Sequence, residues 1–319
     1  MRALIAACLF LASPASAEVP RVVTDIPVIQ SLVAQVMGDL GEPAVLLGQG
    51  GNAHSYQMRP SEARHLQDAD VVFWISPKMT PWLERGIESG TSARVVALLE
   101  TPGTHRRDFG PAQAEAGDHD HAEGDAAPGE AGHEAGDAEA GGHLHSGLDP
   151  HAWLDPGNAV VWLDTIAKEL SALDPEHAGI YRANAGSARA SVARTDAEVK
   201  AMLASAPHAP VVMFHDAYGY FAEHYGLDVA GNIALGDAAA PGAARLAEIR
   251  RQLETGGVAC MFPEAQHDPK LAMTLADGTP VRVGAALDPS GSGTEPGPDL
   301  YQRTLLGLGR AISDCLASR

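Results

Sequence analysis

Basic residues are scarce in this chain of 319 residues: 22 Lys and Arg stand against 41 Asp and Glu, for a formal net charge of -19. That balance lacks the basic footprint needed to hold nucleic-acid phosphates, and it is compatible with a cation as partner. Beyond the N-terminus no apolar run is long enough for a membrane helix. The chain has no G-x-x-x-x-G-K-[ST] loop for ATP and no H-E-x-x-H for a metalloprotease. There are only three cysteines. Cys8 lies in a segment expected to be removed. The remaining pair, Cys260 and Cys315, favours a disulfide over two buried thiols if the compartment is oxidising.

That removable segment is Met1 to Ala17. Arg2 supplies a positive start, Ala3 to Ala12 an apolar stretch, and Ala15-Ser16-Ala17 an A-x-A cleavage site, which together read as a secretory signal. The mature protein is therefore expected to be exported and soluble. Hydrophobic content of 45% suffices for two cores, and the length suggests two domains.

Apolar runs alternate with helical patterns through the first part. Strands are expected at Arg21–Ile26, Ala44–Gly48, Val71–Ile75 and Arg94–Leu99, with helices between them. Such alternation indicates a parallel α/β unit. From about 103 to 146 the composition changes to Gly, Ala, Asp and Glu. Nine acids and no Lys or Arg lie between Glu115 and Glu139. This segment cannot offset the entropy of ordering and is expected to be disordered. Pro175 to Ala206 then reads as one long helix, roughly 45 Å at 1.5 Å per residue. Strands are expected again at Val211–Phe214, Leu227–Ile233, Val258–Phe262 and Val281–Leu287. The expected architecture is α/β with two lobes, 18–174 and 207–319. Each is a roughly four-stranded parallel sheet flanked by helices, and one rigid helix over 175–206 joins them.

Histidines occupy informative places in this plan. In open parallel sheets, ligands bind beyond the carboxyl ends of strands. His54 follows the second strand through Gln49-Gly50-Gly51, His215 ends the first strand of the second lobe, and His151 lies between Pro150 and Pro156. Three neutral imidazoles converging on a cleft suit Zn²⁺. Asp288, after the last strand, is the best-placed fourth ligand, with Glu264 or water as the other choices. His119, His121, His133, His143 and His145, in the acidic tract, are expected to be accessory, mobile metal ligands. His65, His105, His177, His208, His224 and His267 are assigned to surface or structural roles.

Three segments carry a family resemblance: Asn52-Ala53-His54-Ser55-Tyr56-Gln57-Met58-Arg59-Pro60-Ser61, Asp149-Pro150-His151-Ala152-Trp153-Leu154-Asp155-Pro156, and Phe214-His215-Asp216-Ala217-Tyr218-Gly219-Tyr220-Phe221. With them the chain resembles the metal-binding subunits of bacterial ABC importers, the cluster A-I solute-binding proteins, and within these the zinc members. The resemblance implies two α/β lobes on a rigid linking helix, metal ligands at His54, His151 and His215, a His/Asp/Glu-rich loop, and a late disulfide, here Cys260 with Cys315. It implies a periplasmic protein, expected to be a monomer, that is not an enzyme and delivers Zn²⁺ to a membrane permease. Some zinc members carry Glu just before the first histidine. Here that residue is Ala53, which excludes a ligand from that position. The rivals are a Mn²⁺ or Fe²⁺ carrier of the same family, a secreted zinc hydrolase, and a metal-buffering or adhesive surface protein.

Overall fold

A computed structural model describes residues 18–109, 147–234, 236 and 241–318. The first sheet contains β1 (Val22–Thr24), β2 (Ala44–Val45), β3 (Val71–Trp74) and β4 (Arg94–Ala97), in the order β2-β1-β3-β4, all parallel. The second contains β5 (Val211–Met213), β6 (Val229–Asn232), β7 (Cys260–Met261) and β8 (Arg282–Val283), in the order β6-β5-β7-β8, again all parallel. The two halves thus repeat one strand order. The inner strands are continuous buried runs, Val-Val-Thr in β1, Val-Val-Phe-Trp in β3 and Val-Val-Met in β5. Helices covering both faces require this pattern. The edge strands β2, β4, β6 and β8 are only partly buried.

In the first half, α1 (Pro27–Met37), α2 (Pro60–Asp68), α3 (Pro81–Glu88) and α4 (Pro156–Leu173) each begin on proline. Proline suits the first helical position, because its φ is already helical and its missing N–H would have no partner there. Asp155 caps α4 by accepting from the Gly157 amide.

Helix α5 (Ala178–Ser205) has 28 residues, about 42 Å at 1.5 Å per residue. It starts three residues after Pro175, because Asp174 closes a turn ahead of it. Asp174 Oδ1 accepts from the His177 amide at 3.3 Å, and Asp174 Oδ2 accepts from the Tyr181 hydroxyl at 2.8 Å. Tyr181, Ala185, Ala188, Val192, Thr195 and Val199 form its buried stripe. The small alanines allow close approach by α1 and α4, and Val199 meets Gly309 on α9 (Leu300–Ala317). One apolar core consequently runs from Phe73 and Trp162 through α5 to Phe221 and Tyr301. The remaining helices, α6 (Gly219–Tyr225), α7 (Ala243–Thr255) and α8 (Lys270–Ala276), flank the second sheet.

The structure corrects two expectations. Residues 103–109, placed by the sequence reading inside the segment expected to be disordered, have a defined structure. Residues 107–109 pair with 147–149, with Phe109 N donating to Gly147 O at 2.8 Å and Asp149 N to Arg107 O at 3.0 Å. Side chains in this stretch bond to the body of the protein, His105 to Asp155 and Arg107 to Asp149. The run Val281–Leu287 is not one strand either. It breaks at Gly284, where the Phe262 ring fills the space a Cβ would need, and resumes as a single bridge between Glu264 and Leu287. Cys260 and Cys315 form a disulfide across a separation of 55 residues, joining β7 to the end of α9. No helix among the described residues is long and apolar enough to cross a membrane.

Candidate metal centre

The loop after β2 delivers His54. The strand continues briefly past Val45, since Leu46 N and Leu47 N donate to Thr24 O and Asp25 O. The chain then turns through Gly50, whose φ of 71° is in the left-handed region. The Gly50 amide donates to Ser292 O at 2.8 Å, which ties this loop to the opposite lobe. Asn52 Oδ1 accepts from the amides of His54 (2.9 Å) and Ser55 (3.2 Å). Trp82 Nε1 donates to Ala53 O at 2.6 Å. The histidine is therefore held by its own backbone on both sides.

His151 is buried in the turn between Asp149 and α4. Asp149 Oδ1 accepts from the His151 amide at 3.0 Å and lies 2.8 Å from its Nδ1. Trp153, two residues on, donates Nε1 to Pro289 O at 2.8 Å. His215 follows β5 and is likewise buried. Its Nδ1 lies 2.5 Å from Glu264 Oε1, which also accepts from the Tyr218 hydroxyl at 2.8 Å. Both buried histidines thus have a carboxylate on Nδ1. Such a partner fixes the tautomer and leaves Nε2 as the ligating nitrogen.

The ring nitrogens of His54, His151 and His215 lie within 4.8 Å of one another, the one such cluster among the described residues. Nε2 of His54 is 3.2 Å from Nε2 of His151. Two imidazoles on one tetrahedral zinc, with Zn–N near 2.0–2.1 Å, stand about 3.3 Å apart. The site opens into a cavity of about 30 Å³ lined also by Glu264, Gln266 and His267. This has room for an ion. Burial holds the His151 imidazole below its ordinary pKa. Asp149 partly opposes this, and the neighbouring His54 and His215 reinforce it. A ring kept neutral in this way is ready to ligate.

The structure does not bring Asp288 to this cluster. Its carboxylate is taken up by its own loop, accepting from the amides of Ser292 (3.2 Å) and Gly293 (2.9 Å) and from Gln266 Nε2 (2.9 Å). Through Ser292 it supports the loop that receives Gly50. Glu264 lines the cavity, but its Oε1 serves His215. The tract histidines His119, His121, His133, His143 and His145 lie outside the described residues. Among the other histidines, His105 pairs with Asp155, His177 with Asp174, and His224 with Asp155 and Asp196. His267 stacks on Phe214 and also lines the cavity beside the three imidazoles. Sequence reasoning passed over Asp149, although it stands two residues before His151 in a quoted motif. It also passed over Arg107, which no motif marks.

Residues 22–315 match the family described as zinc-uptake complex component A, periplasmic (ZnuA). A high-affinity zinc uptake system protein ZnuA from Paracoccus denitrificans is 52% identical over 309 residues, covering 96% of this chain and 95% of its own. The protein of the same description from Yersinia pestis is 32% identical, covering 99% and 97%. Among solved structures, the periplasmic zinc-binding protein TroA from Treponema pallidum aligns with a TM-score of 0.74 at 21% identity, covering 94% of this chain and 99% of that one, and shares the fold. A crystal structure of ZnuA aligns with a TM-score of 0.71 at 22% identity, covering 92% and 98%. On the family match and these sequence relatives, the chain belongs to the ZnuA family of periplasmic zinc-uptake components.

Proposed function

We propose that this protein captures Zn²⁺ in the cleft between its lobes and delivers it to the membrane permease of an ABC importer. The ligands are His54, His151 and His215, with water or Glu264 completing the shell. The observation that carries this reading is the convergence of three imidazoles, His54 and His151 from the first half and His215 from the second, with ring nitrogens within 4.8 Å of one another. Three nitrogen donors suit zinc better than Mn²⁺ or Fe²⁺, which prefer more oxygen. The role is transport rather than catalysis, in the periplasm, after removal of residues 1–17. Lobes 18–174 and 207–319 close by small movements, because the helix between them packs along its length. Titration with Zn²⁺ against a competing chelator tests the site. The intact protein is expected to hold one ion tightly, and His54→Ala, His151→Ala and His215→Ala each to lose it. Unchanged tight binding in all three variants overturns the assignment. Zinc uptake into permease-containing vesicles tests delivery, and uptake that does not depend on this protein overturns that part.

A further inference from the structure

Arg107 lies on the paired stretch at the root of the acidic tract, yet its side chain reaches the metal site from behind. Its Nη1 donates to Asp149 Oδ2 at 2.7 Å. The other oxygen of that carboxylate faces the amide and Nδ1 of His151. The Asp149 side chain is fully buried and that of Arg107 is 23% exposed. A carboxylate so deeply buried needs a cationic partner. With Oδ2 occupied by the guanidinium, Oδ1 is left to accept Nδ1–H, and the His151 lone pair falls on Nε2, the atom facing His54.

The same guanidinium also crosses the cleft. Its Nε lies 3.5 Å from Glu223 Oε2, and its Cζ lies 5.6 Å from the centre of the Tyr220 ring. The Arg107 amide donates to the Tyr220 hydroxyl at 3.0 Å, and that hydroxyl donates to Asp149 O at 3.0 Å. Most tellingly, a Cβ at position 219 would overlap the guanidinium. Gly219 opens α6 and has an ordinary φ, so its lack of a side chain is explained by the space Arg107 occupies rather than by backbone conformation.

We infer that Arg107 is a positioning residue for metal capture. It orients Asp149, so that His151 presents Nε2, and it is itself seated by Gly219, Tyr220 and Glu223 of the opposite lobe. Packing between the lobes thereby becomes part of ligand alignment on His151. This rests on His151 being a zinc ligand, as proposed above. A lysine at position 107 would keep the charge but lose the planar fork that reaches Asp149 and Glu223 together.

The experiment compares the intact protein with Arg107→Ala, Arg107→Lys, Gly219→Ala, His151→Ala and the exposed-pair control Arg189→Ala. Three quantities are read: Zn²⁺ affinity by chelator competition, the visible absorption of the Co²⁺-loaded protein, and the ¹⁵N shifts of the His151 ring without metal. Arg107→Ala is expected to weaken zinc about 10–100-fold, the usual effect of losing a group that orients a ligand. It should also alter the Co²⁺ bands and erase the Nδ1–H preference of His151. Arg107→Lys should restore part of each. Gly219→Ala, on the other lobe, should reproduce the direction of all three changes, while Arg189→Ala changes none. If Arg107→Ala does not fold, Gly219→Ala and Arg107→Lys carry the test. Loss of zinc in His151→Ala alone, with wild-type affinity, Co²⁺ bands and ring shifts in the Arg107 and Gly219 variants, overturns this inference and spares the site. Wild-type zinc binding in His151→Ala overturns the ligand assignment on which it rests.

Discussion

The Tyr301 hydroxyl donates to the Trp153 carbonyl at 2.8 Å, joining α9 to the turn that carries His151 across 148 residues of chain. Both side chains are fully buried. The amide of Tyr301 receives a further tie, donating to Ser31 Oγ at 3.0 Å, and Ser31 donates to Pro298 O at 3.0 Å. The metal site is thus built on a joint between helices rather than on loops alone.

Removing that hydroxyl leaves the Trp153 carbonyl buried without this donor. Tyr301→Phe is expected to lower unfolding stability by about 1–3 kcal/mol, the cost of an unmet buried polar group. Urea denaturation of the metal-free protein measures it. A midpoint matching the wild type would mean that the bond contributes nothing.

The indole of Trp82 performs a similar task for His54 by donating to the carbonyl of Ala53. Trp82→Phe keeps an aromatic side chain there, smaller than the indole, and removes the donor. The His54 loop should loosen, with zinc affinity falling up to about tenfold for a loss near 1.4 kcal/mol. Chelator competition decides this, and an unaltered Kd would assign the loop's rigidity to Asn52 instead.

Burial raises the Asp25 carboxyl from 3.8 to about 7, although the amides of Ile75 and Ile26 pull the other way. Its folded-state value lies above its unfolded one. The stability it contributes is therefore complete below pH 3.8, and it is lost as pH rises through about 7. The slope approaches about 1.4 kcal/mol per pH unit at most. The lowered His151 acts oppositely in part of this range, so the informative quantity is the difference between the wild type and Asp25→Asn. That difference should shrink as pH rises from 5 to 8. A difference constant across the window would show that Asp25 does not titrate there.

The disulfide closes a loop between residues separated by 55 positions, worth about 4 kcal/mol on the chain-entropy estimate. Cys260→Ser with Cys315→Ser should lower the melting temperature of the metal-free protein clearly and leave zinc affinity near its original value, because the bridge lies away from the ligands. A loss of affinity without a loss of stability would contradict this.

Much of the fold was legible in the chain. Val22-Val23-Thr24 and Val71-Val72-Phe73-Trp74 are apolar on both faces, and only a strand covered on both sides can use them. The two sheets, the long α5 and the general places of His54, His151 and His215 follow from such runs and from their punctuation by Gly and Pro. The break at Gly284 was not legible, because the Phe262 ring that fills the space beside it follows a different strand, β7. The same holds for Asp288. At the end of a predicted strand it looks like a ligand, and only the folded loop reveals that Ser292, Gly293 and Gln266 engage its carboxylate.

By itself, then, the sequence determined the properties that are local or additive: acidic charge, strand and helix periods, prolines that open helices, and which three histidines lie past strand ends. Tertiary structure decided which carboxylate faces which imidazole. Glu264 serves His215, and Arg107 reaches Asp149 while filling the space left open by Gly219. The physical reason is that hydrogen bonds act over about 3 Å, whereas these partners lie up to 112 residues apart in the chain. No local pattern records a distance that exists only after both sheets have packed against α5.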